Sequence, residues 1–400
     1  QLALLKNYKN TLRFLFNYRT LSHISTSSTD KTYINKIEHQ IIVLKKFVTA
    51  NTIYQFNSGM ESKKAYTFIE VAQGMGYYFW DTQTDYNGNG KTDLNEFEIA
   101  KNKFQANYIK VQIPTNEYIP VYESAISENF TISPKYLLKG NNAVNKIFSK
   151  FQNTLFLKND IKTSLSDLKH NINPFIKDQS DSLLISVYTY SSNTLFYNKN
   201  NSGYSASFNT IKENNKTSTI NGWENFSMNK NTLNNRIELT SLYTLNLKFG
   251  TETKVSKAET ILFSNRNYNI KTKSIEPKLT WQPTIYAAFD IYTSYVESVN
   301  IDKEKAILKT IGQETRLSGK KNWRISIDSK YTHVAYNANS KNSIAFAILE
   351  GFLPGNNYSW NINIQNNLSK NIKASIEYSG LKTSETKIQH IGSIQLSAYF

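Results

Sequence analysis

The chain has 400 residues, 39% hydrophobic content, a mean hydropathy of −0.50, no cysteine and a formal charge of +16. That excludes disulfides, thiolate metal sites and cysteine nucleophiles, and no run approaches the roughly 18 apolar residues of a membrane-spanning helix. It does not exclude a chain that crosses a membrane with strands, where only alternate residues need be apolar. The positive charge points first to nucleic acid, but Lys199, Lys212, Lys216, Lys230, Lys320, Lys321 and Lys341 are scattered among Asn and Ser. With no basic helix and no reader motif, solvated turns or anionic lipid phosphates are the expected partners, not nucleic acid.

Residues 1–60 read as strands. Leu12, Phe14, Phe16 and Tyr18 alternate, and Ile41-Ile42-Val43-Leu44 and Ile53-Tyr54-Gln55-Phe56 follow. Gln1 opens the chain without a signal-like apolar run, so the expectation is the C-terminal part of a longer protein.

Residues 61–122 carry the one chemical motif. Asp85-Tyr86-Asn87-Gly88-Asn89-Gly90-Lys91-Thr92-Asp93-Leu94-Asn95-Glu96 matches the twelve-residue calcium loop D-x-[DN]-x-[DN]-G-x5-E. Asp85, Asn87 and Asn89 offer side-chain oxygens, Gly90 permits the sharp turn, and Lys91 offers only its carbonyl. Asp93 acts directly or through water, and Glu96 chelates with both oxygens. The segment is an acidic island, with Asp81 and Glu98 flanking the loop. Tyr77–Trp80 reads as a strand, and Glu96–Ala106 is the one stretch that could form an exiting helix. A lone loop of this kind is expected to rigidify an insert rather than to act as a sensor.

Residues 123–400 alternate in short runs, roughly a dozen strands after Val144, each near the 9–11 residues that cross a bilayer. Ile237, Leu239, Tyr243 and Leu245 lead one run; Ile285, Ala287, Phe289, Ile291 and Tyr295 another. Trp323–Ala335, Tyr358–Ile364 and Ile372–Tyr378 are cleaner. Ser318–Asn322, Asn367–Asn371 and Gln282–Thr284 read as tight turns, while Glu297–Lys305, Asn337–Asn357 and Gly380–Lys387 read as longer loops. Short turns at one end and long loops at the other are the outer-membrane pattern. The tail places Ile388, His390, Gly392, Ile394, Leu396, Ala398 and Phe400 on one parity, closing on an aromatic residue.

The five histidines are too far apart for a metal spacing, and neither G-x-S-x-G nor a dinucleotide fingerprint occurs. The expected fold is therefore all-β, an antiparallel transmembrane β-barrel of roughly a dozen or more strands with a small calcium-loop insert.

Three stretches carry a family resemblance. They are Gly74–Asp81 with Asp85–Gly90 and Asn95–Glu98; Ala106–Val111 with Pro114–Tyr118; and Leu349–Asn361, Tyr378–Gly380 and His390–Ser393 before Phe400. Together they resemble the C-terminal region of large outer-membrane β-barrel proteins of Bacteroidota. The insertion Thr82-Gln83-Thr84 departs from the usual tighter spacing. The resemblance implies a surface-exposed, large barrel in the outer membrane, often tied loosely to secretion or surface assembly; it does not imply a catalytic activity or a defined substrate. The expected function is thus a non-enzymatic channel, scaffold or assembly component with a structural calcium site, touching outer-membrane lipid, lipopolysaccharide and other envelope proteins. A TonB-dependent importer's barrel and a secreted calcium-binding adhesin are the alternatives.

Overall fold

Among the described residues, nineteen strands run through one antiparallel sheet. The computed structural model describes the chain apart from residues 1, 8, 24–27, 81–84, 86, 95, 101–103, 139, 141, 165–172, 176–182, 200, 202, 220–221, 259–266, 302–303, 320–321, 339–342, 370, 385–386 and 399–400. The closing residue Phe400 therefore lies outside the described residues.

The first strands are β1 (Leu2–Asn7), β2 (Asn10–His23), β3 (Ser28–Val43) and β4 (Val48–Glu70). Two short strands, β5 (Tyr78–Phe79) and β6 (Glu98–Ile99), precede the long β7 (Tyr108–Ile132). Twelve more follow: β8 (Phe151–Thr163), β9 (Leu184–Tyr197), β10 (Tyr204–Thr219), β11 (Gly222–Glu238), β12 (Tyr243–Ala258) and β13 (Tyr268–Thr284). Then come β14 (Ala287–Asn300), β15 (Lys305–Ser318), β16 (Trp323–Tyr336), β17 (Gly355–Asn367), β18 (Ile372–Lys382) and β19 (Gln389–Ala398). Leaving out the short β5 and β6, consecutive strands pair in an up-and-down order, with β4 pairing β7 across the insert. The fold is all-β, the wall of a large antiparallel barrel. Among the described residues no rung joins β19 to β1. No helix among them is long and apolar enough to cross a membrane, which leaves strands as the question.

The registers separate the residues into two faces. On one face Ile275 stands opposite Tyr295 and Leu279 opposite Ile291. That parity continues through Ile311 opposite Tyr331, Tyr331 opposite Tyr358, Ile364 opposite Ile376 and Ile376 opposite Ile394. These side chains are apolar yet exposed: Ile291 61%, Ile311 55% and Ile394 80%. Aromatic residues border this face near the tight turns. Phe151 meets Tyr197 at 5.2 Å and Trp281 stacks on Phe289 at 5.1 Å. A second aromatic group, Tyr331 against Tyr358 at 4.9 Å, lies toward the other end. Along β14, Phe289 and Tyr295 are separated by roughly 20 Å of strand, the scale of an apolar band with aromatic margins.

The opposite face is polar. Lys278 bonds Asp290 at 2.6 Å and Glu314 at 3.2 Å, and Arg316 reaches Asp290 at 2.8 Å. Asp290 is only 1% exposed. Tyr292 donates to Asp328, and Asn361 donates to Ser379. A soluble sandwich encloses its apolar face and solvates its polar one; here the assignment is reversed.

The main apolar cluster sits on the polar face, at the long-loop end. Ile270, Ala306, Leu308 and Val334 pack against Ala345, Ile348 and Leu349, which belong to or adjoin the short helix Ser343–Ile348 in the β16–β17 connection. That connection is folded inward over the wall. Asn357, 1% exposed, fixes its base by donating to the carbonyls of Leu353 at 2.8 Å and Gly355 at 3.1 Å.

Several expectations change. Leu239 lies in a turn between β11 and β12, not within a strand, because the chain reverses at Tyr243, whose amide bonds back to Thr240 O. Glu297–Lys305 is mostly strand, leaving a short turn before Lys305. The turn expected at Gln282–Thr284 sits at Ile285–Tyr286. β4 and β7 have 23 and 25 residues, far above the bilayer requirement. They carry the ladder deep into residues 61–122, so the irregular part of that segment is confined between Glu70 and Tyr108.

Candidate metal centre

The insert is built on a close backbone approach. Gly76 donates to Ala106 O at 2.9 Å and Tyr77 to Tyr108 O at 2.8 Å. A Cβ on Gly76 would lie 2.5 Å from the Tyr108 carbonyl oxygen, a contact real side chains do not make. Glycine here lets the chain lie flat on β7, where Tyr78 then pairs with both Ile99 and Tyr108. Beneath these strands is a small aromatic core. Phe97 stacks on Phe68 at 4.1 Å and meets Tyr108 edge-on at 4.9 Å. Phe79, Phe97, Phe104 and Ala106 are buried. On its far side Phe79 meets Phe346 at 4.6 Å.

The loop itself is closed by side chains accepting from backbone amides. Asp85 accepts from Asn89 N at 3.1 Å and from Gly90 N at 2.8 Å. Asn87 Oδ1 accepts from Asn89 N at 2.9 Å, and Asn89 Oδ1 from Lys91 N at 2.6 Å. Gly88 and Gly90 have φ of 69° and 71°, the left-handed region that glycine enters without strain. The side-chain amides of Asn87 and Asn89 then converge on Asp93 Oδ2 at 2.8 and 2.9 Å. These two donors hold the Asp93 carboxyl below its usual range, with nearby Lys91 adding to the effect.

Glu96 is different. It is fully buried, and its Oε2 accepts from Trp80 Nε1 at 3.1 Å and from Asp93 N at 3.2 Å. Its Oε1 is enclosed without a hydrogen-bond partner. A buried carboxylate oxygen left unsatisfied is costly.

The structure thus brings Asn87, Asn89 and Asp93 together and ties Asp85 to the same turn. It does not gather the carboxylates: among the described residues no three His, Asp or Glu side chains meet at metal-binding distance. The residues nonetheless fit a hard cation. The donor set is entirely oxygen, which suits calcium over softer metals. Glu96 Oε1 lacks the partner that a cation would supply, whereas Asp93 Oδ2 is taken up by the Asn87 and Asn89 amides, which a cation would have to displace. No exiting helix follows among the described residues; β6 and a turn at Phe104–Gln105 take its place. The motif did not disclose the Trp80–Glu96 bond or the anchoring role of Phe97. The aromatic residues flanking the acidic island were the available signal.

The histidines stand apart. His333 meets Asn356 at 2.8 Å, His390 meets Tyr378 at 2.8 Å, and His39 meets Asn10 at 3.1 Å.

No family model matches the chain, and no curated protein does. Among solved structures, it is similar to the ferric-catecholate import receptor Fiu from E. coli K12 in its open form, with a TM-score of 0.44 and 9% identity. The likeness covers 95% of this chain and 62% of that receptor, so the chain spans less than two thirds of the receptor's length.

Proposed function

We propose that the chain is a non-enzymatic outer-membrane β-barrel that serves as channel, scaffold or surface-assembly component, with a calcium-braced insert at its long-loop end. The reversal of the two faces carries this reading. A belt of exposed Ile and Leu margined by aromatics suits hydrocarbon, and the enclosed Lys278–Asp290–Arg316 network suits a wet interior. The test is fractionation and detergent extraction of the full chain expressed in a Gram-negative host. Recovery in the outer-membrane pellet, with heat-dependent mobility on electrophoresis, is expected. Recovery in the aqueous fraction without detergent overturns it.

In this reading calcium is structural. Asp85, Asn87, Asn89, Asp93, Glu96 and the Lys91 carbonyl would hold it, and its charge would compensate Glu96 Oε1. Extracellular concentrations suffice for a lone loop, since extracellular modules bind at about 0.1–1 mM.

A further inference from the structure

The outer face of the wall is not uniform. At the long-loop side of the apolar belt, β14 to β18 line a shallow, open groove of about 770 Å³. Ile291, Ile311, Tyr331, Tyr358, Trp360 and Ile388 contribute its apolar floor, and Lys382 stands at its margin. Among the described residues no Asp or Glu lines it. Lys309 lies on the same face, two residues along β15 from Ile311 and on the rung with His333. Lys309, His333 and Lys382 are all exposed. Neither lysine has an ion-pair partner among the described residues, whereas Lys278, Lys230 and Lys305 are each paired with acids.

Lysines at the edge of an aromatic-margined apolar groove, with no ion-pair partner among the described residues, form a site with two chemistries. Ammonium groups at the interface attract lipid phosphates, and the groove takes hydrocarbon. We propose that this groove binds an outer-leaflet phosphorylated glycolipid of the lipid A type, its acyl chains on Ile291, Ile311 and Trp360 and its phosphates on Lys309 and Lys382. The long loops mark this end of the barrel as the extracellular one, which selects the outer-leaflet lipid over inner-leaflet phospholipid. The inference rests on the membrane reading given above.

Native mass spectrometry of the full chain in mild detergent tests it. Bisphosphorylated lipid A is offered in one arm, dephosphorylated lipid A in a second and phosphatidylethanolamine in a third. Lys309→Gln with Lys382→Gln changes only exposed side chains. Heat-dependent electrophoretic mobility reports folding of each sample. Retention of bisphosphorylated lipid A by wild type, falling roughly tenfold or more in the double variant and in the dephosphorylated arm, is expected for paired charge-assisted contacts. Equal retention of all three lipids, equal retention by the variant, or no retention by folded wild type overturns the site while leaving the barrel reading intact. Failure of the chain to enter membranes at all overturns the barrel reading itself.

Discussion

Phe79 and Phe346 lie ring to ring, 4.6 Å between centroids, although one belongs to the insert between β4 and β7 and the other to the helix between β16 and β17. Strands β8 to β15 separate them along the wall. The contact therefore spans the curl of the sheet and docks the insert on the inward-folded β16–β17 connection. Phe79→Ala removes a buried ring, which ordinarily costs about 3 kcal/mol, with about 1 kcal/mol of it specific to the aromatic pair. The expected outcome is local. Hydrogen exchange within residues 71–107 rises while the barrel's heat-dependent mobility is unchanged, and Phe346→Ala gives the same pattern. A uniform loss of protection across β8–β19 would mean that the pair supports the whole wall instead.

Ile394 offers a test of solvent. In water a residue 80% exposed tolerates substitution within about half a kcal/mol. Facing hydrocarbon, Ile394→Arg costs roughly 2–4 kcal/mol near the bilayer midplane. Urea titration of the refolded chain in lipid vesicles is expected to show the larger value. A neutral Arg at this position contradicts the membrane reading.

Asp290 is the hub of the interior network, bonded by Lys278 and Arg316. Asp290→Ala leaves Lys278 and Arg316 to share Glu314 alone. Because Lys278 and Arg316 keep partial solvent access, the loss is set at about 2 kcal/mol, below that of a fully buried pair. Adding Lys278→Met restores part of it. A double-mutant cycle on unfolding midpoints measures the coupling, and strict additivity would show the pair to be independent.

Glu96→Gln separates calcium binding from packing. Trp80 donates its indole N–H to Glu96, so its fluorescence reports the loop. Titration of the full chain with calcium is expected to change Trp80 emission at about 0.1–1 mM. Glu96→Gln and Asp85→Ala abolish the response. A flat titration in wild type removes calcium from the account, leaving Glu96 as a hydrogen-bond acceptor alone.

Asp93 predicts an acid limit. Its folded pKa is depressed by the Asn87 and Asn89 amides, so the stability it contributes is fully present above the unfolded carboxyl value, about 3.9. That contribution is lost as pH falls through the lower folded value. The loop's hydrogen exchange, corrected for intrinsic rate, is thus flat from pH 5 to 8 and rises only below about pH 4. Asp93→Asn removes the step. A transition near neutral pH would point to another group.

Alternation along the chain discloses which residues share a face, because the strand period is two. It does not mark where strands end when the inner face is polar. Lys212, Lys216 and Lys230 read as residues of solvated turns, yet sit within β10 and β11; Leu239 reads as strand and lies in a turn. A lumen wall accepts Asn, Ser and Lys as readily as a turn does, so composition loses its punctuation there. The loop motif places Asp85, Asn87, Asn89, Lys91, Asp93 and Glu96 along one short segment, because a calcium-type loop is local in sequence; the structure joins Asp85, Asn87, Asn89 and Asp93 by hydrogen bonds and leaves the carboxylates ungathered. The Gly76–Tyr108 approach and the Phe79–Phe346 contact depend on segments distant along the chain, which no local pattern encodes.

The length of β4 and β7 has a further consequence. A hairpin with strands of 23 and 25 residues exceeds the bilayer crossing by roughly 45 Å along the strand direction. The overhang does not stand free, because Phe79 beside its far end docks on Phe346 of the β16–β17 connection, so the extra length reaches across the end of the wall as a strap. In the orientation proposed above, antibodies against the exposed residues 87–92 would label intact cells, and cutting the strap there would free the two loops from each other.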